Sequence, residues 1–250
     1  MSCGRVIIWS GRFRIMLKNF IHVVSEPLEA HAVRIATRKR QKLSLTLEPD
    51  ESLYLIRKGI YLARAPIPHA RHQVLGVLYP GDFVRASALP PLEGLEITAA
   101  SDIGEVWRLR WSVVKGLIDE SPDFARRVAD RLADQAARTT LHNAIIAGLT
   151  GDERVAALMI ELALRTGKQT PSGLLFDMPL SRVDIAEHLA LNADTVSRIV
   201  SRMRAKGLYA PAGRSRLLSP RFEDLADSCP LTPAIARMHG GGETLLTSTV

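Results

Sequence analysis

The clearest periodic pattern of the chain lies between residues 180 and 207. Apolar residues three or four positions apart predict two short amphipathic helices there, with Ser181 and Asn192 as their capping residues. Residues 190–192 connect the two helices, which is the arrangement of a helix-turn-helix. The second helix carries a polar outer face near its start, made of Asp194, Thr195, Ser197, Arg198, Ser201 and Arg202. Such side chains reach the base edges and phosphates of DNA, although an ordinary helix pair with a solvated face has the same spacing.

The segment 33–111 has a different pattern, with short apolar stretches separated by turns. Residues 42–47 alternate between apolar and polar, and the turn at 57–59 separates two further stretches. Many short strands at this spacing predict an antiparallel sandwich or barrel. Farther on, segments 207–209 and 215–218 predict the hairpin of a wing, with Arg214 and Arg216 at its tip facing the DNA backbone.

A single long helix is predicted from Pro122 to Leu149. Its positions spaced by three and four form a seam, which comprises Val128, Leu132, Gln135, Thr139, His142, Ile146 and Leu149. A sustained period of ~3.5 residues favours a two-stranded coiled coil and hence a homodimer, whereas one helix packed on its own domain gives a similar pattern. The middle of the seam is polar, so we expect pairing to be weakest there, in a region suited to switching.

Composition and charge narrow the class of partner. A net charge of +7 suits a phosphate-binding protein, and it is equally compatible with RNA or an anionic membrane surface. A hydrophobic content of 46% over 250 residues fits two small domains. Cys3 and Cys229 are the only cysteines, so neither a disulfide framework nor a cysteine-rich metal site is expected. We predict no metal and no cofactor.

The two ends of the chain differ from the rest. Residues 1–27 carry basic side chains around short apolar patches, and no run there resembles a membrane span or a cleavable signal. We interpret them as a basic extension and expect a cytoplasmic protein without a membrane partner. Residues 227–250 contain Pro230, Pro233 and a run of glycines, which predicts a flexible tail.

The chain lacks the common catalytic motifs, namely a phosphate-cradling glycine loop, HExxH and Gly-x-Ser-x-Gly. We therefore expect a binding protein and not an enzyme. One hypothesis is a dimeric DNA-binding regulator. The alternative is a β-rich regulatory or interaction module that controls a partner protein, with the helix pair as its docking surface. Retention on heparin and a steep salt dependence of duplex binding distinguish the two.

Two groups of residues resemble the CRP/FNR family of bacterial transcription regulators. In the helix-turn-helix they are Arg182, Ile185, Ala186 and the run 194–198. Upstream, the sequence motifs at 54–59 (YLIRKG) and 80–83 (PGDF) resemble motifs of the β-roll sensor domain of the same family and occur in the same order. The resemblance implies that DNA, a second copy of the chain and RNA polymerase are the partners.

The implied architecture is α+β, with a cyclic-nucleotide-binding-like β-roll, a long dimerisation helix and a winged helix-turn-helix. The expected segments are a basic extension (1–27), the β-roll (28–120), the dimerisation helix (121–149), the DNA-binding domain (150–226, motif 182–201) and the tail (227–250).

The resemblance also implies roles on DNA. Arg198 would donate two hydrogen bonds to a guanine, Ser197 would contact a neighbouring base, and Asp194 would accept from a cytosine amino group. The implied phosphate contacts are Arg182, Asn192 and Thr195. Two departures from the family pattern are Asp194, where Glu is usual, and Ala190, where a turn glycine is common. The implied operator is near-palindromic, TTGAT with an inverted copy.

The family's ligand-binding pairs are replaced in this sequence. Cyclic-nucleotide-binding members use a Gly-Glu pair and an Arg-Ser pair, and here Arg85-Ala86 and Leu95-Glu96 stand in those places. A phosphate facing Glu96 would be repelled, so we expect no binding of cyclic AMP. The remaining candidates for an effector pocket are Arg85, Thr139 and Thr140. An iron–sulfur cluster lacks its ligands, because Cys3 is the only cysteine near the N-terminus.

Overall fold

The computed structural model describes residues 6–9, 13–16, 27–46, 50–67 and 71–240. A division between two compact units falls between Ala136 and Ala137. Antiparallel sheets come first in the chain, a long helix follows, and a helix-turn-helix comes after it, which confirms the predicted α+β class. No helix in the described ranges combines the length and apolarity needed to cross a membrane.

A short hairpin lies in the segment predicted as a basic extension. The backbone of Val6–Trp9 (β1) pairs antiparallel with that of Phe13–Met16 (β2). β-branched and aromatic residues favour strands, and both arms contain them. The sequence-based prediction for this segment rested on its basic residues and did not include the two strands. The other residues of segment 1–26 lie outside the described ranges.

Two four-stranded antiparallel sheets form the body of the first unit. Their strands are β3 (Val33–Arg38), β4 (Lys42–Ser44), β5 (Ser52–Lys58), β6 (Tyr61–Ile67), β7 (Arg71–Leu78), β8 (Phe83–Val84), β9 (Glu96–Ala99) and β10 (Ile103–Arg110). The order is β3-β10-β5-β8 in one sheet and β4-β9-β6-β7 in the other. This arrangement is the predicted β-roll.

Apolar side chains from both sheets fill the interior of the β-roll. Its buried members include Tyr54, Ile56, Tyr61, Ala63, Val84, Ala86, Leu95, Ile97 and Val106. Gly104 allows the closest approach in this core, because a Cβ there would lie 2.3 Å from the Tyr61 hydroxyl. That hydroxyl shares a buried hydrogen bond of 2.6 Å with Thr37. The inside of the roll is therefore occupied by the protein's own side chains.

Two helices follow the β-roll, α1 (Trp111–Glu120) and α2 (Pro122–Gly148). Phe124 and Val128 of α2 belong to a second buried cluster with residues of α1, β5, β8 and β10. Farther along α2, the Gln135 side chain accepts from the Phe83 N–H at 2.9 Å and donates to the Phe83 carbonyl at 2.8 Å. The first half of α2 therefore belongs to the β-roll unit.

The second unit contains a four-stranded antiparallel sheet and a set of helices. They are α3 (Gly151–Thr166), β11 (Lys168–Thr170), β12 (Gly173–Asp177), α4 (Arg182–Leu189), α5 (Ala193–Ala205), β13 (Ala210–Pro211), β14 (Arg216–Ser219), α6 (Phe222–Ala226) and α7 (Thr232–His239). The sheet has the order β11-β12-β14-β13, and its β13–β14 hairpin is the predicted wing, with the first strand at 210–211 and not at 207–209 as predicted.

Helix α3 is the centre of this unit. It contacts α4, α5, α6, α7 and β12. Its buried residues lie on every side of the helix, and they are Val155, Ala156, Ala157, Leu158, Met159, Ile160, Leu162, Ala163 and Leu164. An apolar surface all the way round requires cover on every side.

The predicted flexible tail is wrong for its first part, because α7 is folded against α3. Ile235 and Ala236 are buried, and the His239 ring accepts a hydrogen bond of 3.0 Å from the Arg165 Nε–H of α3. Proline lies in the first turn of α7, where it favours a helix start. The prolines that predicted disorder thus mark a helix boundary. Residues 241–250 lie outside the described ranges.

Candidate DNA-binding interface

Helix α4 begins with a reciprocal capping box. The Ser181 hydroxyl accepts from the Asp184 N–H at 3.1 Å, and the Asp184 carboxylate accepts from the Ser181 N–H at 2.7 Å. Ile185, Ala186 and Leu189 are buried on the inner side of the helix. Two otherwise unsatisfied N–H groups are thereby paired, which fixes where the supporting helix begins.

The turn between α4 and α5 contains a strained residue. Ala190 has φ 52° and ψ 48°, in the left-handed region where a Cβ is unfavourable. Glycine carries no such penalty, which explains its frequency at this position in the family that the sequence resembles. Ala190 adopts the left-handed turn conformation, but its Cβ makes that conformation less favourable than it would be for glycine.

Helix α5 presents one buried face and one polar face. The Asn192 side chain caps it by accepting from the Asp194 N–H at 2.8 Å. Val196, Ile199, Val200 and Met203 are no more than 4% exposed. Because the buried residues recur every three or four positions, the polar ones share the opposite side and are exposed, namely Asp194, Thr195, Ser197, Arg198, Ser201 and Arg202.

The two serines of α5 are oriented by the helix backbone. Ser197 Oγ donates to the Ala193 carbonyl at 2.9 Å, and Ser201 Oγ donates to the Ser197 carbonyl at the same distance. A hydroxyl that donates its hydrogen in this way cannot donate to a second group, but its oxygen can still accept a hydrogen bond. The Ser197 hydroxyl oxygen can therefore accept a hydrogen bond on the exposed face of α5.

Arg182, at the start of α4, lies beside Tyr209. The Tyr209 hydroxyl donates to the Val200 carbonyl at 2.9 Å and also interacts with the Arg182 side chain. Burial raises the pKa of Tyr209, and the charges of Arg182 and Arg204 oppose that rise. Tyr209 thus supports an exposed cation at the N-terminal end of α4. Tyr209 was not singled out in the sequence, where it reads only as part of the wing.

Arg202 of α5 has a partner that the sequence did not predict. Its Nη2 lies 2.9 Å and 2.7 Å from the two carboxylate oxygens of Asp152, at the start of α3. Both side chains remain about half exposed. Fifty positions separate the two residues, so no local sequence signal could indicate this pair.

The wing carries Arg214 and Arg216, both of which are exposed. Arg214 lies in the turn between β13 and β14, and Arg216 begins β14 opposite Asp177 of β12. Burial raises the pKa of Asp177, and the Arg216 and Lys168 charges partly offset that rise. Arg214 is therefore the more available of the two wing cations for a phosphate.

The residues of the predicted α2 seam lie in different surroundings within one subunit. Val128 is buried within the β-roll unit, Gln135 bonds to Phe83, and His142 stacks on His188 of α4. Leu149 and Ile146 are half-buried, whereas Leu132 is 45% exposed. The spacing of residues along a helix identifies which residues share a face, but it does not show what that face packs against. The predicted seam therefore combined residues that pack within the subunit with residues that are exposed. The exposed stripe with the same spacing comprises Ala129, Leu132, Ala136, Thr139 and Asn143.

The predicted effector residues have different local surroundings. The Arg85 guanidinium pairs with Glu51 at 3.1 Å and lies 3.9 Å above the ring of Trp111. Thr139 and Thr140 are exposed on α2 and belong to the other unit. Ala86 and Leu95, which replace ligand-binding residues of the family, lie in the apolar core of the β-roll. The Glu96 carboxylate lies 3.0 Å from Lys42 Nζ.

Residues 153–228 match a known family, the Crp-like helix-turn-helix domain. Nitrogen fixation regulation protein FixK of Bradyrhizobium diazoefficiens is 29% identical over 184 residues, which cover 70% of this chain and 74% of that protein. Transcriptional activator protein FnrL of Cereibacter sphaeroides is 24% identical over 173 residues, covering 68% and 69%. Residues 153–228 therefore belong to the Crp-like helix-turn-helix family, and the chain is similar to transcription regulators of the CRP/FNR type.

Solved structures of CRP/FNR proteins share the fold. FixK2 from Bradyrhizobium japonicum superposes with a TM-score of 0.67 at 22% identity, over 79% of this chain and 97% of that one. A mutant of CooA from Carboxydothermus hydrogenoformans gives a TM-score of 0.63 at 18% identity, over 86% and 97%. These structures confirm the predicted β-roll that precedes the helix-turn-helix. The resemblance recognised from Arg182, Ile185 and the run 194–198 is confirmed by the match to the Crp-like helix-turn-helix domain.

Proposed function

We infer that this protein is a sequence-specific DNA-binding transcription regulator of the CRP/FNR type. The observation that carries this function is the exposed face of α5, where Asp194, Ser197 and Arg198 lie within one turn of a helix whose other face is buried. A rigid helix start that presents an acceptor, a hydroxyl and a guanidinium suits the major groove, because each type matches a different base edge.

In this proposal Arg198 reads a guanine, Asp194 accepts from a cytosine amino group and Ser197 contacts a base between them. The backbone contacts come from Arg182, Asn192, Thr195, Arg202, Arg214 and Arg216. Asn192 uses its Oδ1 for the cap, so its amide N–H groups are the part that faces a phosphate. Phosphate contacts fix the orientation of the helix, and the base contacts supply the specificity.

We propose that the regulator acts as a homodimer on a near-palindrome of the form TTGAT with its inverted copy. The exposed α2 stripe around Leu132 supports this assembly, because alanines there allow two helices to approach closely. Its half-sites would lie about one helical turn apart. As a bacterial regulator it would work in the cytoplasm with RNA polymerase, without a cyclic nucleotide as effector.

Selection of bound duplexes from random DNA tests this function. Recovery of an inverted repeat with a guanine in each half-site supports both the reading helix and the dimer. A single half-site would contradict the dimer alone. Retention of no duplex, or binding that is insensitive to salt, would favour the alternative of a β-roll module whose helix pair docks on a protein.

A further inference from the structure

The start of α3 packs closely against α5 and the turn that precedes it. A Cβ on Gly151 would lie 3.2 Å from Ile199 Cδ1 and 3.4 Å from Leu191 Cδ2, so glycine permits this approach. Ile199 is buried on the inner face of α5, and Leu191 is a half-buried residue of the turn between α4 and α5. Asp152, the residue after Gly151, is thereby held beside the exposed end of α5.

The capping of α3 leaves Asp152 as the carboxylate that turns towards α5. Glu153 is engaged in a capping box, where its Oε2 accepts from the Thr150 N–H at 2.8 Å. Asp152 instead places both oxygens within 2.9 Å of Arg202 Nη2. A short side chain on a helix start loses little conformational freedom in such a pair, so the arrangement is better ordered than a contact between two long side chains.

In the proposed complex, this carboxylate lies on the surface that faces DNA. Arg202 is one turn beyond Arg198 on the same exposed face, where a phosphate would approach it. The ion pair is half exposed and therefore weak, so a phosphate can displace the aspartate from Arg202. After displacement the aspartate remains near the duplex backbone and repels it.

We propose that Asp152 limits the affinity of this regulator for DNA by competing with the phosphate backbone for Arg202. The inference rests on the phosphate contact of Arg202 in the proposed function. In the free protein the Arg202 guanidinium is already paired with the Asp152 carboxylate, so DNA binding replaces that carboxylate by a phosphate. The gain from releasing counterions at this position is lost, and the bound state also contains a carboxylate close to phosphates.

Asp152→Asn tests the competition, because it keeps the size and polarity of the side chain while removing the charge. Dissociation constants would be measured on the selected operator and on an unrelated duplex, from about 50 to about 200 mM salt. We expect about threefold tighter binding per subunit on both duplexes, because a backbone contact carries no sequence information. The slope of log affinity against log salt should steepen by about 0.9 for each subunit.

Two further variants separate this effect from a general change of charge. Asp227→Asn removes one exposed carboxylate from the turn after α6, and it should leave both affinity and slope nearly unchanged. Asp152→Asn in an Arg202→Gln background should give no gain over Arg202→Gln alone, because the competed group is absent. Thermal unfolding of each variant establishes that the domain is folded.

The outcomes distinguish the two proposals. In one outcome Arg202→Gln weakens DNA binding, but Asp152→Asn leaves it unchanged or weakens it. Asp152 would then position Arg202 and not compete for it, and the phosphate contact of Arg202 would still be supported. If Arg202→Gln binds like the parent protein, the phosphate contact of Arg202 and the inference both fall. A gain from Asp152→Asn that persists without Arg202 would also overturn the competition.

Discussion

The imidazole ring of His142 stacks on that of His188, with the centroids 4.1 Å apart and the ring planes 14° from parallel. His142 lies near the end of α2, and His188 lies on the supporting helix of the helix-turn-helix. Burial lowers the pKa of His142, although a hydrogen bond to the His188 backbone opposes that shift. A proton on His142 would place a cation in a partly buried site against a second imidazole.

Acid should therefore destabilise the DNA-binding unit. The lowered pKa means that the unfolded chain binds protons more readily, so the free energy of unfolding falls as pH drops below the unfolded pKa of about 6.5. Burial and the Arg165 and Arg138 charges lower the pKa of His239 as well, which adds to the same trend. Urea unfolding at about pH 7.5 and about pH 5.5 should show a smaller loss in His142→Phe and His239→Gln. A parent protein whose stability does not change over this range would contradict both assignments.

Arg198→Ala should weaken operator binding by about 1–3 kcal/mol and relax the preference at the guanine. The reason is that a guanidinium donates two bonds to one base edge, and alanine donates none. Arg214→Ala is the matched control on the wing, where lost affinity should be uniform across sequences and the salt slope should decrease by about 1. An Arg198 variant with unchanged sequence preference would remove Arg198 from the reading role.

Leu132→Asp should produce monomers with greatly weakened operator binding. The side chain is exposed in one subunit, and in the proposed dimer it would face its symmetry mate, so two carboxylates would oppose each other in an apolar contact. Ala137→Asp is the control, since it adds the same charge at an exposed position outside the stripe. Sedimentation measures both, and a Leu132→Asp dimer would place the interface elsewhere.

Ala190→Gly should stabilise the second unit by about 1 kcal/mol, because glycine adopts the left-handed turn conformation without a Cβ penalty. The same substitution at Ala186, inside α4, should destabilise it by a similar or larger amount. Urea denaturation compares the two. A destabilised Ala190→Gly variant would show that the αL strain at this turn is smaller than the entropy cost of glycine in the unfolded chain.

Cyclic AMP and cyclic GMP should give no saturable heat on titration, and operator binding should need neither. Ala86 and Leu95 lie in the filled core of the β-roll, and Arg85 is held by Glu51 and Trp111. A nucleotide would have to displace these groups and separate a buried carboxylate from its partner. One-per-subunit binding at micromolar nucleotide would overturn this expectation and return Arg85 to the ligand contacts.

The helix-turn-helix could be predicted closely because its determinants are local. Caps at Ser181 and Asn192 and the spacing of Val196, Ile199 and Val200 define both helices and the side that faces outwards. The partner of Arg202 could not be predicted, since tertiary packing at Gly151 brings Asp152 to it from fifty positions away.

Periodicity was also insufficient for α2. Two faces of this helix have the same three-four spacing, and only contacts in space show that Val128 and Gln135 pack within the unit while Leu132 remains exposed. The fold of α7 was missed for a related reason. Its composition predicts disorder, and the cover that it provides for α3 is visible only once α3 is known to be apolar on every side.

Helix α7 also determines where the chain can be truncated without exposing the core of the second unit. The similarity to the Crp-like domain ends at residue 228, yet burial continues through Cys229, Ile235 and His239. A truncation placed at residue 228 would strip one side of α3 and leave Arg165 without its imidazole acceptor. The exposed apolar strip would promote aggregation, so a shortened DNA-binding fragment should extend at least to Gly240.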